Sequence, residues 1–160
     1  MKILIVSDTH GKDENLEQVI SMRKPFDCLI HLGDVEGSED YIPVLAECPT
    51  VHMVSGNNDF FSDLPRELEF ELEGYKVMIT HGHYYYVSLN TGEICRQARA
   101  RGIDIVMFGH THKPHLEILE DVTILNPGSL SYPRQSGRRP SYIWMEIDED
   151  GEAHYEVCYL

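Results

Sequence analysis

Short apolar runs, each closed by a polar cluster, set the rhythm of the chain. Lys2 to Ser7 is almost continuously apolar and rich in Ile and Val, the signature of a strand buried on both faces. Asn15 to Lys24 then places Leu16, Val19 and Ile20 at helical spacing ahead of Pro25. Cys28 to Leu32, Thr50 to Val54, Val77 to Thr80 and Ile103 to Phe108 repeat the buried-strand pattern, with helices predicted at Ser38 to Glu47 and Thr91 to Arg101. Glu67 to Lys76 reads as a hairpin turning at Glu73-Gly74. Leu116 to Leu125, Ser141 to Asp148 and Glu152 to Cys158 alternate, or turn at Asp150-Gly151, as antiparallel strands do. The pattern predicts an α/β fold of two mixed sheets packed face to face with helices outside. With 160 residues and no repeat or linker, a single domain over residues 1–160 is expected.

Charge narrows the partners. Twenty-seven acidic against 13 basic residues give a formal charge of −14, which repels nucleic-acid phosphates and anionic lipid. Neither nucleic acid nor membrane is expected as a partner. A small phosphate ester remains compatible, because bound divalent cations supply positive charge locally. The apolar start stops at Ser7-Asp8, far short of a membrane span or an export signal. Cys28, Cys48, Cys95 and Cys158 form no CxxC pair, which fits a reducing cytoplasm.

The candidate chemistry lies where the apolar runs end. Asp8-Thr9-His10, Gly33-Asp34, Gly56-Asn57-Asn58-Asp59, Thr80-His81-Gly82-His83 and Gly109-His110-Thr111-His112 each follow a predicted strand. Sites in open α/β sheets form at the carboxyl ends of strands, so residues far apart in sequence meet at one edge. Taken singly, the Gly-Asn-Asn-Asp run is a turn and the His-Thr-His run a polar strand exit. Together, Asp8, His10, Asp34, Asn57, His81, His110 and His112 offer imidazole nitrogens and oxygens without thiolate, a mixture suited to Mn, Fe, Zn or Ni. Seven ligands exceed the needs of one ion, and they predict two divalent ions with Asp34 as the bridging carboxylate.

These five motifs, in this order and spacing from Met1 to about Arg134, resemble the calcineurin-like metallophosphoesterase superfamily. The short chain and the Asn126-Pro127-Gly128-Ser129 run followed by Pro133-Arg134 resemble its small bacterial and archaeal phosphodiesterase branch. The resemblance implies a four-layer αββα sandwich. It also implies that Asp8, His10, Asp34 and His112 hold one ion and that Asp34, Asn57, His81 and His110 hold the other. The activity implied is hydrolysis of a small phosphate-ester substrate by in-line attack of a metal-bridging hydroxide, with Mn the first choice of metal and Ni, Zn, Fe or Mg also compatible. A homo-oligomer, dimer or tetramer, accompanies the resemblance.

One position departs from the pattern. Many superfamily members carry His after the motif Asn, where it protonates the leaving group, and this chain has Asn58. An amide is no general acid, so proton donation falls to water or to another group such as His83, or is unnecessary because the leaving group is already good. The small branch often lacks this His, and the resemblance to it implies a diester substrate. Asn57, Asn58 and His83 are the residues expected beside the reacting groups, and Asn58, His83 and Arg134 the candidate substrate contacts. His31, just ahead of Leu32-Gly33-Asp34, is the best-placed histidine to support a ligand. Tyr84 to Tyr86 form a candidate pocket wall or subunit contact, and Arg138-Arg139 read as a solvated loop. The competing function is an interaction scaffold of the same fold, as in the retromer subunit of the vacuolar protein sorting family. A complete set of seven ligands favours the enzyme.

Overall fold

The computed structural model describes all 160 residues. Strand β1 (Lys2–Val6) buries both faces: Ile3 and Ile5 point one way, Leu4 and Val6 the other, and all four are buried. This period of two explains why the run is unbroken by polar residues. β1 lies beside β2 (Cys28–His31), which pairs with β3 (Thr50–Met53), all three parallel. An antiparallel pair, β9 (Ser141–Ile147) and β10 (Ala153–Tyr159), completes the first sheet in the order β10-β9-β1-β2-β3.

The second sheet runs β4-β5-β6-β8-β7. Its strands are β4 (Glu67–Leu72), β5 (Tyr75–Thr80), β6 (Ile105–Met107), β7 (Pro114–Ile118) and β8 (Thr123–Pro127). β5, β6 and β8 are parallel, while β4 and β7 run antiparallel at the two edges.

Three apolar layers hold four structural layers together. Between the sheets, Ile3, Ile5, Ile30, Ile143 and Met145 meet Val77, Ile79, Ile105, Met107 and Leu125. Outside the first sheet, Leu16, Val19 and Ile20 of α1 (Glu14–Arg23) and Ile42 of α2 (Tyr41–Ala46) cover Leu4, Val6 and Leu29. Outside the second, Ile94, Cys95 and Ala98 of α3 (Gly92–Ala100) cover Met78, Val106 and Ile124. The result is the αββα sandwich with two mixed five-stranded sheets.

Two sequence expectations change at their edges. The helix predicted over Ser38 to Glu47 is confined to α2, because Ser38 forms a turn whose carbonyl accepts from Tyr41 and Ile42, and Glu47 closes the helix at φ 48°. The segment Leu116 to Leu125 divides into β7 and β8, joined where the Leu119 amide donates to the Val122 carbonyl. Asn126 and Pro127 end β8, and the bend falls at Gly128. The four cysteines are free, and no helix is long and apolar enough to cross a membrane.

Ile79 sits fully buried in the layer between the sheets and immediately precedes the site segment Thr80-His81. Ile79→Ala should destabilise the protein by about 2–5 kcal/mol in urea unfolding, through lost burial and a residual cavity. A loss below about 1 kcal/mol would show that this layer is not tightly packed.

Candidate metal centre

Loops from both sheets meet at one rim. Asp8 and His10 leave β1, Asp34 leaves β2, Asn57 follows β3, His81 leaves β5, and His110 and His112 follow β6. Backbone hydrogen bonds stitch these loops together: Asp8 N–H to Gly33 O at 3.0 Å, His10 N–H to Asp34 O at 2.9 Å and Gly109 N–H to His81 O at 3.1 Å. All seven sequence-predicted ligands converge. His10 Nε2 lies 3.2 Å from His112 Nε2, and His112 Nε2 lies 3.1 Å from Asp8 Oδ1. Asp34 Oδ2 sits 3.7 Å from His10 Nε2 on one side and 3.4 Å from His81 Nε2 on the other. Asn57 Oδ1 lies 3.1 Å from His81 Nε2 and 2.9 Å from His110 Nδ1.

The backbone is bent to bring these groups in. Asp8, His10, Asp34, His110 and His112 all adopt positive φ, between 49° and 69°. Such conformations cost of order 1–3 kcal/mol each in a non-glycine residue and persist only where the surroundings fix them. Glycine makes room for the carboxylates. A Cβ at Gly56 would collide with Asp34 Oδ1, and one at Gly109 would collide with Ser7 Oγ and stand 2.9 Å from Asp8 Oδ2.

Hydrogen bonds behind the ligands fix which ring nitrogen faces the centre. His81 Nδ1 lies 2.6 Å from the Leu32 carbonyl and His112 Nδ1 lies 2.7 Å from the Tyr132 carbonyl. A carbonyl only accepts, so both rings carry hydrogen on Nδ1 and turn Nε2 inward. His10 does the same through Glu36, with Nδ1 3.0 Å from the carboxylate. In their neutral forms, His10 and His112 therefore oppose two lone pairs at 3.2 Å, and His81 opposes a lone pair to Asn57 Oδ1. Asp8 Oδ1 is buried and accepts no hydrogen bond. Converging acceptors without donors fit a cation, and this spacing matches ligand atoms about 3 to 3.5 Å apart around an ion with bonds of about 2.0–2.2 Å. Asp8, His10, Asp34 and His112 form a group whose ligand atoms lie within 4.8 Å of one another.

Both buried carboxylates draw positive charge beside them. Burial works to raise the Asp8 carboxyl, but His112 and His81 outweigh it and hold the group below its ordinary value. Burial also works against ionised Asp34, and His81 with the two Asn58 hydrogen bonds drives it well below the usual carboxylate range. His81 is opposed by burial and raised by Asp34 and Asp8. His83 behaves oppositely: burial, then the neighbouring imidazoles of His81 and His110, lower it to about 4, so it is neutral at pH 7. Its Nδ1 is buried without a partner.

Asn58 takes a place that the motif alone did not disclose. Its backbone N–H donates to Asp34 Oδ1 at 2.9 Å and its side-chain amide to Asp34 Oδ2 at 2.8 Å, so it orients the central carboxylate. Arg134 is exposed, with its backbone N–H on the His112 carbonyl, and lines a cavity of about 520 Å³ with His10, Glu36, His112, Tyr132, Pro133 and Arg138. A second cavity, of about 430 Å³, opens beside Asn57 and His83.

Several supporting residues were present in the motifs without a legible task. Asp59 closes the Gly-Asn-Asn-Asp turn by accepting the Gly56 N–H at 2.7 Å, and it also accepts from Val35 and Glu36 at 3.2 and 2.7 Å. It thereby ties the Asn57 loop to the Asp34 loop. Asn126 Nδ2 donates to Gly109 O at 2.8 Å, Ser129 Oγ to Asp8 O at 2.8 Å and Ser131 Oγ to Thr9 O at 2.7 Å. His31 supports two loops at once, with Nε2 3.0 Å from Thr9 Oγ1 and Nδ1 accepting the Gly33 N–H at 3.2 Å.

The calcineurin-like phosphoesterase superfamily domain matches residues 1–150. The chain belongs to this superfamily. It is 33% identical over 151 residues to the probable metallophosphoesterase YsnB of Bacillus subtilis, covering 94% of this chain and 86% of that one. A phosphodiesterase of Methanocaldococcus jannaschii is 29% identical over 149 residues, 80% of this chain and 83% of its own. A predicted phosphoesterase from Streptococcus pneumoniae has a crystal structure that superposes with a TM-score of 0.80 at 29% identity, over 99% of this chain and 97% of that one. The zinc complex of Vps29 from Entamoeba histolytica shares the fold with a TM-score of 0.77 at 23% identity, over 99% of each chain.

The fully buried His31 generates a pH prediction. Burial lowers it to about 4 against the pull of Asp8 and Asp59. From pH 6.5 down to about 4 the unfolded chain takes up a proton that the folded one refuses, so the stability from this residue is full above pH 6.5 and lost as pH falls. In metal-free protein, urea unfolding between pH 7 and pH 5 should lose stability more steeply than in His31→Gln. Equal slopes would contradict the assignment.

Proposed function

We propose that this protein is a dinuclear metal-dependent phosphodiesterase. Asp8, His10, Asp34 and His112 hold one divalent ion, and Asp34, Asn57, His81 and His110 hold the second. The observation that carries the proposal is the place of Asp34 Oδ2 between His10 Nε2 and His81 Nε2, at 3.7 and 3.4 Å, which is where a bridging carboxylate belongs. The donor set of imidazole and oxygen without thiolate accommodates Mn²⁺, Fe²⁺, Zn²⁺, Ni²⁺ or Mg²⁺, and the resemblance to the superfamily puts Mn²⁺ first. Divalent ions held there supply Lewis-acid polarisation of the phosphoryl group and a nucleophile from water near neutral pH.

The chain's own residues do the rest. Asn58 holds Asp34 by two hydrogen bonds and fixes the lone pairs it presents. The carbonyls of Leu32 and Tyr132 hold His81 and His112 in the tautomer whose Nε2 faces inward. Arg134, on the rim beside His10 and His112, offers its guanidinium to a phosphoryl oxygen. His83 is neutral at pH 7, so it serves a substrate oxygen as a hydrogen-bonding group and is no strong proton donor. Without an acid at Asn58 or His83, the leaving group must depart with little protonation, which favours diesters of acidic alcohols. The diester activity in the name of the Methanocaldococcus jannaschii relative supports the same substrate class.

Metal binding alone does not separate an enzyme from a scaffold, since the Entamoeba histolytica Vps29 also binds zinc. Turnover does. Metal-stripped protein should hydrolyse bis-p-nitrophenyl phosphate only after Mn²⁺ is returned, and faster than p-nitrophenyl phosphate. Asp34→Asn should reduce that rate by at least the roughly 100-fold that loss of a mere supporting group brings. Folded, metal-loaded protein without turnover would leave the scaffold as the better account.

A further inference from the structure

The chain has eight arginines, and five are already engaged. Arg96, Arg99 and Arg101 pair with Glu93, Asp121 and Glu67, Arg23 donates to the Tyr142 hydroxyl at 2.9 Å, and Arg139 donates to the Leu160 carbonyl at 3.2 Å. The other three, Arg66, Arg134 and Arg138, have no carboxylate partner, and all three line the cavities that flank the centre. In a protein of net charge −14, the three guanidiniums without any hydrogen-bond acceptor all stand at the cleft, which sets it apart from the rest of the surface.

Arg134 and Arg138 share the His10–His112 side, and Arg66 stands alone on the other. There it lines the cavity of about 430 Å³ with Asn57, Phe60, His83 and Tyr84. Its guanidinium carbon lies 5.1 Å from the centroid of the Tyr84 ring, a stacked position that limits the side chain's freedom. Asp59 lines the same cavity but spends both oxygens on the amides of Val35, Glu36 and Gly56. The cavity therefore presents a guanidinium without an ion-pair partner, on a lining it shares with a candidate metal ligand, Asn57.

We propose that Arg66, braced by Tyr84, forms a subsite for a second oxyanion carried by the organic arm of the substrate, a carboxylate or phosphate apart from the scissile phosphodiester. A planar guanidinium grips such a group through paired N–H donors. The inference rests on the phosphodiesterase reading and narrows it from diesters in general to diesters with an additional negative charge.

Calorimetric binding to Mn²⁺-loaded protein at low salt tests this without requiring turnover. The probes are diphenyl phosphate and its analogues with a 4-carboxylate or a 4-phosphonate on one ring, all three slow to hydrolyse. Wild type should bind the charged analogues about tenfold more tightly than diphenyl phosphate, the scale of one charge-assisted contact. The carboxylate and phosphonate arms decide which oxyanion fits better. Arg66→Ala should bring the ratio close to one, while Arg66→Lys, a point charge without the fork, should keep part of it. A wild-type ratio of one, or a ratio that Arg66→Ala leaves unchanged, overturns the subsite. Loss of binding to every probe overturns both the subsite and the diester reading. Selective binding without diester hydrolysis supports the subsite and counts only against the enzyme.

Discussion

Two buried carboxylates, Asp8 and Asp34, face a ring of imidazoles, and the rest of the structure is organised around keeping that arrangement tolerable. Moving a carboxylate out of water carries a penalty of several kcal/mol unless charge and hydrogen bonds compensate. Asp34 receives two hydrogen bonds from Asn58, and Asp8 Oδ2 receives one from the Ser7 hydroxyl and one from the His110 amide, yet Asp8 Oδ1 receives none. The imidazoles do not complete the account in their neutral forms, because carbonyls behind His81 and His112 turn their lone pairs inward. Cations held there would resolve the conflict, compensating the carboxylates and giving the lone pairs a partner.

The fold serves that centre by ending its parallel strands at a common rim. Strong burial on both faces of β1, β2, β5 and β6 leaves those strands little freedom to slip, since a shift of one residue would turn every apolar side chain to the wrong face. From such anchored ends the loops take up positive φ at five ligand positions. Asp59, Asn126, Ser129, Ser131 and His31 then cross-link one loop to another, so the strain is held by a network and not by any single bond.

The strands that carry ligands were legible because their apolar runs are dense and end abruptly at polar clusters, as Lys2 to Ser7 does. The two-sheet arrangement followed from the hairpin at Glu67 to Lys76 and the alternating segments from Leu116 onward, and the candidate ligands from their order. Edges were harder to read. Pro43 and Glu47 restrict α2 to Tyr41–Ala46, and the ends of the Leu116 to Leu125 segment pair with each other, which a periodicity shared by both halves conceals. Tasks were hardest of all: Asn58 was visible as a departure from the motif, but its grip on Asp34 depends on how the Asn57 loop folds back, and Asp59 controls that fold from three residues beyond Gly56. Arg138 reads as solvated in sequence, and only the folded loop brings it to the cavity shared with Arg134.

Negative charge over most of the protein and free guanidiniums at one cleft give the surface a direction, and cations in the proposed centre would sharpen it. All of this depends on the inward-facing acceptors being a place for two cations. Titration of metal-stripped protein with Mn²⁺, followed by calorimetry and by thermal unfolding, tests that claim most directly. Two equivalents should bind per chain, with a midpoint that rises as the sites fill, because an ion that binds only the folded state stabilises it. Binding of one equivalent or none, with an unchanged unfolding midpoint, would contradict the account.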